Sequence, residues 1–306
     1  MKNILKKIFL ILFCGMILVS AAGCDKNESP SAPSEITVSG ADAETLNFPA
    51  SSCGVKLEKA VEKVVSLSPA ATEIVCELGF KDSLVGISTY CDFPEGLPAR
   101  KVGSAENPDI EAIIALKPDA VFTLSALSER EAYELKQAGI AVLIPQQPTN
   151  LEGYSALYRE IASAYYGTKA AEGEKGETEA VRIGASVRSE LEKAAKSVKL
   201  DDFVYVTEKL TAAGSDTFES AVLSLSGNNL CGSAGYSELS ELGDTTPKYI
   251  IASDALEEQD LTNSSTLYSY ISNGAEVKFV PAAYFERPSA RTAKIFELLS
   301  SVEDEE

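Results

Sequence analysis

The residues best suited to chemistry sit in three stretches. The first, "VVSLSPAATEIVCELGF" (residues 64–80), sets Ser68 and Pro69 between an apolar run and a helix-like pattern. A strand that runs into a helix leaves backbone N–H groups free to meet an anion. This turn lacks the glycines that let a backbone wrap a phosphate, and Pro69 removes one donor. Ser68 is therefore expected as an N-cap first and a cleft contact second. It also lacks a base. The chain contains no His, which removes the commonest general base, the commonest zinc ligand and any His-ligated haem. The other two stretches, "GISTYCDFP" (86–94) and "YFERPSAR" (284–291), offer Tyr90, Tyr284, Phe285, Glu286 and Arg287. On residue type alone these read as packing aromatics and an Arg paired with Glu286 or a helix end. There is no GxGxxG, P-loop or GxSxG motif, so an enzyme is not expected.

The elements that must position these residues follow an α/β rhythm. "KVVSL", "SLVGIS", "DAVFTL" and "IAVLIP" read as short, nearly continuous apolar strands. "PAATEIVCEL", "NPDIEAIIALK" and "SEREAYELKQAG" read as the helices between them. That order predicts a parallel sheet covered by helices. After residue 150 the pattern changes. "LEGYSALYREIASAYYG" is one amphipathic helix, and the next thirty or so residues read as a long helix. Within it Gly173, Gly176 and Gly184 each cost about 1 kcal/mol relative to Ala. From "DFVYVT" onward βα alternation resumes, with "SARTAKIFELLSSV" as the last helix and a solvated "EDEE" end. The expected fold is thus α/β: two lobes with central parallel-type sheets flanked by helices, joined by one long linker helix. The expected division is 61–150 for the N-terminal lobe, 151–199 for the helical linker and 200–306 for the C-terminal lobe. Ligand sites in such folds lie beyond the carboxyl ends of strands and between lobes.

Composition narrows the partners. The 306 residues carry a formal charge of −19 and 45% hydrophobic residues, so real cores are expected and nucleic acid is not. "MKNILKK", "IFLILFCGMILVS" and "AAGC" form a basic, apolar and small-residue series, a secretory signal over 1–23. The Cys after small residues resembles a bacterial lipobox, which makes Cys24 the lipidated first residue. Loss of Lys2, Lys6 and Lys7 would leave 24 basic against 46 acidic residues, a charge of −22. Residues 24–60, polar and rich in Pro and Ser, read as a disordered tether. Cys53, Cys76, Cys91 and Cys231 show no CxxC spacing, so no metal or redox site is expected; Cys76 reads as a buried thiol.

"VVSLSPAATEIVCELGFKDSLVGISTYCDFP", "NPDIEAIIALKPDAVFT", "TFESAVLSLSGNN" and "AEVKFVPAAYFERPSAR" together resemble the helical-backbone substrate-binding proteins of ABC importers. That family serves vitamin B12, ferric siderophores and haem, and the resemblance covers roughly residues 62–300. "GISTYCDFP" and "YFERPSAR" carry the likeness to its cobalamin receptors. The resemblance implies that Tyr90 lies against a corrin and that Ala283, Tyr284, Phe285, Glu286 and Arg287 form the facing wall. The family often has Asp and Trp where this chain has Ala283 and Tyr284. A corrin is a broad apolar ring rimmed by amides, which suits aromatic faces with a few edge groups. Arg287 could also grip the nucleotide-loop phosphate. The family docks on its permease through one surface Glu per lobe. These match Glu111 and, in the second lobe, Glu241, with Glu238 the second choice.

The resemblance therefore implies a monomeric, lipid-anchored receptor with no catalytic cofactor. It would hold a corrinoid as cargo and pass it to permease and ATPase subunits. Its place would be the outer face of a cell membrane, or the periplasm of a Gram-negative host. A siderophore or haem receptor, and a non-transport sensor, are the alternatives. An anionic siderophore would need several cleft cations, and haem an axial Tyr, Met or Cys.

Overall fold

The computed structural model describes residues 48–167 and 178–300. The signal segment, Cys24, the tether up to residue 47, positions 168–177 of the expected long helix and the "EDEE" end lie outside the described residues. All described residues fall in one unit spanning Val38–Glu306.

Part of the expected tether is folded. β1 (Ala50–Ser52) and β2 (Val55–Leu57) pair antiparallel across Cys53 and Gly54, both at positive φ. Two such residues give a hairpin turn whose twist suits the strands. Ser52 Oγ donates to the Glu160 carbonyl at 2.8 Å, tying the hairpin to the helix that follows the first lobe. The buried residues here are Ala50, Ser52 and Leu57, so a stretch with little apolar bulk still packs.

The first lobe is a five-stranded, all-parallel sheet in the order β5-β4-β3-β6-β7. Its strands are β3 (Val64–Ser66), β4 (Leu84–Ile87), β5 (Arg100–Lys101), β6 (Ala120–Phe122) and β7 (Ala141–Leu143). Helices α1 (Pro69–Glu77), α2 (Ile110–Leu116) and α3 (Glu129–Gln137) connect them. β3 and β6 are buried throughout, which is why their sequences show no alternation. Ser68 caps α1 with Pro69 in its first turn, and Ser128 with Glu131 forms a capping box on α3.

The crossing consists of α4 (Leu151–Tyr166) and α5 (Glu179–Ala195), which run antiparallel. Thr178 caps α5, so the long helix starts there. Gly184 faces Ser155; a Cβ at 184 would fall 2.6 Å from the Ser155 carbonyl oxygen. The helix propensity lost at Gly184 therefore permits close approach. α4 reaches both lobes. Tyr158 donates to Glu77 of α1, and the Tyr154 ring lies 5.6 Å from Phe218 in the second lobe.

The second lobe holds β8 (Asp201–Val206), β9 (Thr211–Ala213), α6 (Phe218–Leu223), β10 (Gly227–Asn229), β11 (Tyr236–Glu238) and β12 (Tyr249–Ser253). α7 (Glu258–Asn263), α8 (Ser265–Ser272), β13 (Glu276–Val280), α9 (Ala283–Glu286) and α10 (Lys294–Ser300) complete it. The sheet order is β11-β9-β8-β12-β13, with β10 also on β8. β8, β10, β12 and β13 are parallel; β9 and β11 add antiparallel strands at one side. "SARTAKIFELLSSV" divides into a 3-10 turn over Ala290–Ala293 and α10.

Candidate interlobe binding site

The first wall follows β4. Ser88 N–H donates to the Ser66 carbonyl at 2.8 Å and Thr89 N–H to Gly103 at 2.7 Å, so the chain leaves the sheet along a fixed path. Lys101 Nζ donates to the carbonyls of Ser88 and Cys91. The Cys91 thiol is buried against Thr72 Oγ1 at 3.0 Å, and burial pushes its pKa up. The loop is thus pinned from within while Tyr90 points outward, 64% exposed. An exposed, anchored aromatic can offer its face to a ligand at small entropic cost.

The second wall follows β13. Asp254 Oδ1 accepts from Ala282 N–H at 3.2 Å and so starts α9. Phe285 turns inward, edge-on to Tyr205 at 5.0 Å. The Tyr284 carbonyl accepts from Thr292 Oγ1 at 2.8 Å. Glu286 is exposed, Arg287 half-buried, and Ala283 opens the helix.

The two walls meet. Arg287 pairs with Asp92, two residues beyond Tyr90. Partial burial works against the Asp92 charge, but the Arg287 hydrogen bond and guanidinium charge win and hold its carboxyl below the usual range. Arg287 therefore pairs across the lobes, not with Glu286 or a helix end.

Arg291, given no site role by the sequence, makes the deeper contact. Its Nε donates to Glu73 Oε2 at 2.9 Å and its NH2 group to Glu73 Oε1. Ser289 Oγ donates to Glu73 at 2.6 Å. Ala290 N–H and Tyr158 OH donate to Glu77, and Tyr154 OH donates to the Ser289 carbonyl at 2.9 Å. The Arg291 guanidinium lies 4.3 Å from the Phe93 ring centroid and 5.7 Å from that of Tyr284. Among the described residues no buried side-chain polar atom lacks a partner. Helix α1 thus fastens the 289–291 turn of the opposite lobe.

Beside this seam lies a cavity of about 510 Å³, where Gln147, Pro148 and Thr149 of the first lobe face Asp216, Glu219 and Tyr236 of the second. A second cavity of about 310 Å³ shares Glu219, Tyr236, Phe285 and Glu286 with it and extends to Glu208 and Lys209. Tyr236 OH donates to Glu219 at 3.0 Å. Burial raises the pKa of Glu219, the Tyr236 bond works against that, and the charge of Glu208 adds to it.

Of the residues singled out by sequence, Phe285 and Glu286 line these cavities. Arg287 sits on the seam, and Tyr90 stands exposed two residues from its partner Asp92. Ser68 is buried; its hydroxyl accepts from Ala71 N–H at 3.3 Å and serves the helix. Glu111, in the first turn of α2, and Glu241, in a 3-10 turn after β11, are both exposed, one on each lobe. Cys53, Cys76, Cys91 and Cys231 are free thiols; burial pushes Cys76, half-buried, up to about 12. Glu219, Tyr236, Asp92 and Glu73 were not found by sequence. Glu219 and Tyr236 flank short loops beyond strand ends, which was the available signal.

Known proteins resemble this chain in sequence and in fold. The family model for periplasmic binding proteins matches residues 64–228. An ABC transporter substrate-binding lipoprotein of Bacillus subtilis is 30% identical over 222 residues, 68% of this chain and 67% of that protein. A vitamin B12-binding protein of Vibrio cholerae is 36% identical over 115 residues, 36% of this chain and 42% of the relative, less than half its length. In fold, the chain is similar to the crystal structure of the periplasmic vitamin B12-binding protein of Vibrio cholerae (TM-score 0.54, 24% identity, 79% of this chain and 96% of that one). It is also similar to a periplasmic haem-binding protein of the same organism (TM-score 0.63, 15% identity, 79% and 98%).

Proposed function

The chain belongs to the periplasmic binding protein family, and on that premise we propose that it captures a corrinoid between its lobes and hands it to an ABC-transporter permease. The observation that supports this reading is the meeting of the two walls through Asp92 and Arg287, beside a cavity shared by both lobes. Tyr90 and Tyr284 supply aromatic faces for a flat ring, with Phe93 beside them. Ala283 leaves room on the second wall, Phe285 backs it, and Glu286 accepts from ring-edge amides. Arg287 stays on Asp92 as a clasp at the rim. Ser68 contributes through the cap that orients α1.

The cargo is the chain's ligand and not a cofactor, and the protein does no chemistry on it. Cys24 carries the lipid that holds the receptor at the outer membrane face. Among the described residues no helix is long and apolar enough to cross a membrane. Glu111 and Glu241 dock the monomer on the permease, with Glu238 beside the latter.

Titration calorimetry of residues 25–306 with cyanocobalamin tests the reading. Saturable one-to-one binding of a corrinoid is expected, and no heat at high micromolar concentration with either cyanocobalamin or aquacyanocobinamide would end it. Absorbance of the purified protein separates the haem and ferric siderophore alternatives, since either would arrive coloured and spectrally distinct from a corrinoid.

A further inference from the structure

The cavity between the lobes and its smaller neighbour, lined by the second lobe, have a marked charge bias. Asp216, Glu219 and Glu286 line the larger, and Glu208 joins Glu219 and Glu286 in the smaller. Lys209 is the one basic residue among the described residues that line them. Neither Glu208 nor Glu286 has an ion-pair partner among the described residues, and both are exposed to incoming ligand. The guanidiniums that would balance them are engaged elsewhere: Arg287 holds Asp92 and Arg291 holds Glu73. A ligand anion entering this space would meet Asp216, Glu208, Glu219 and Glu286 against the single cation Lys209, with no free Arg among the described lining residues. In a partly desolvated cleft such like-charge contact is screened less than at an open surface.

We propose that this cleft selects corrinoids of net positive charge that lack the nucleotide-loop phosphate, and discriminates against anionic ligands. The proposal rests on the corrinoid reading above and deepens it. The corrin ring and its amides are common to complete and incomplete corrinoids, so the aromatic walls treat them alike. What differs is the phosphate of the loop and the net charge. Aquacyanocobinamide carries one positive charge and no phosphate. Cyanocobalamin is neutral overall and carries its phosphate as an anion. Glu208 and Glu286 attract the first and repel the anionic part of the second.

Competition calorimetry of residues 25–306 with these two probes, at about 20 and about 300 mM salt, tests the proposal. Aquacyanocobinamide is expected to bind at least about tenfold more tightly at low salt, with the ratio shrinking as salt rises. The double variant Glu208→Gln, Glu286→Gln is expected to bring the ratio to about threefold or less. Glu286→Asp, which keeps the charge, should preserve it. Both side chains are exposed, so a retained melting temperature will show that the variants fold. Equal or tighter binding of cyanocobalamin, or a ratio untouched by the double variant, overturns the selectivity and leaves the receptor reading intact. Binding of neither probe overturns both.

Discussion

Arg291 meets Glu73 across the interlobe seam through two donor groups, with Glu73 buried and Arg291 half-buried. The contact needs α1 and the turn after α9 held in one register. The aromatic rings of Phe93 and Tyr284 lie beside the same guanidinium. Arg287, four residues earlier, makes the parallel contact to Asp92, but Asp92 is 68% exposed. Two arginines of one short segment therefore bridge the lobes in very different surroundings.

Breaking each contact in turn should separate them. Arg291→Ala leaves the Glu73 carboxylate buried without its partner, which costs about 3–5 kcal/mol. Asp92→Asn removes an exposed pair, worth about 1 kcal/mol or less. Urea unfolding should show the first as a large fall in midpoint and the second as nearly none. Comparable losses would mean that the seam does not depend on Glu73–Arg291.

Much of the first lobe was legible in sequence because its strands are apolar runs and its helices carry caps such as Ser68 and Ser128. The binding segments were legible only through resemblance; Tyr90 alone looks like any aromatic at a strand end. The hairpin at 50–57 escaped because its buried residues, Ala50 and Ser52 among them, are small and carry little hydrophobic signal. β9, β10 and β11 have three residues each, too few for a period of two to declare itself. Glu73 was hidden for a different reason. A carboxylate within a helix reads as solvated, and only the fold brings Arg291, more than two hundred residues away, onto it.

Glu77 gives a pH dependence of definite sign. Burial, the largest influence, raises its pKa; the bonds from Tyr158 and Ala290 work against it and do not cancel it. A carboxyl whose folded pKa exceeds its unfolded value near 4.5 binds more protons when folded. Its contribution is full below pH 4.5 and is lost as pH rises through the folded value. Glu77→Gln keeps an acceptor for Ala290 N–H, and the Tyr158 hydroxyl can turn to accept from the amide. The variant is expected to match or exceed the parent in melting temperature at pH 7 and to lose that advantage at pH 4.5. A Gln variant that is equally destabilised at both pH values would contradict the buried-acid account.

Gly184→Ala sets two effects against each other. In an open helix the change gains about 1 kcal/mol in propensity. Here the new Cβ would stand 2.6 Å from the Ser155 carbonyl oxygen, which belongs to the backbone of α4 and cannot rotate away. Overpacking of this kind costs about 1–3 kcal/mol, so a net loss is expected. Ser186→Ala on the exposed side of α5 should gain slightly, by about 0.5 kcal/mol. Chemical denaturation of both variants checks the sign; a stabilised Gly184→Ala would show that α4 and α5 are less tightly apposed.

Tyr90 should matter for ligand and not for folding. Its ring is largely exposed, while the loop beneath it is fixed by Cys91, Thr72 and Lys101, none of which depends on the phenol. Tyr90→Ala is therefore expected to leave the melting temperature within about 1 °C, since an exposed side chain contributes little to stability. Loss of one aromatic face against a corrin should weaken binding by about 1–2 kcal/mol, roughly 5- to 30-fold in Kd. Tyr90→Phe keeps the face and should bind within about threefold of the parent. Calorimetry with a corrinoid, paired with thermal melts, reads both quantities. Undiminished affinity in Tyr90→Ala would move the ligand off the first wall and toward the carboxylate-lined cavities alone.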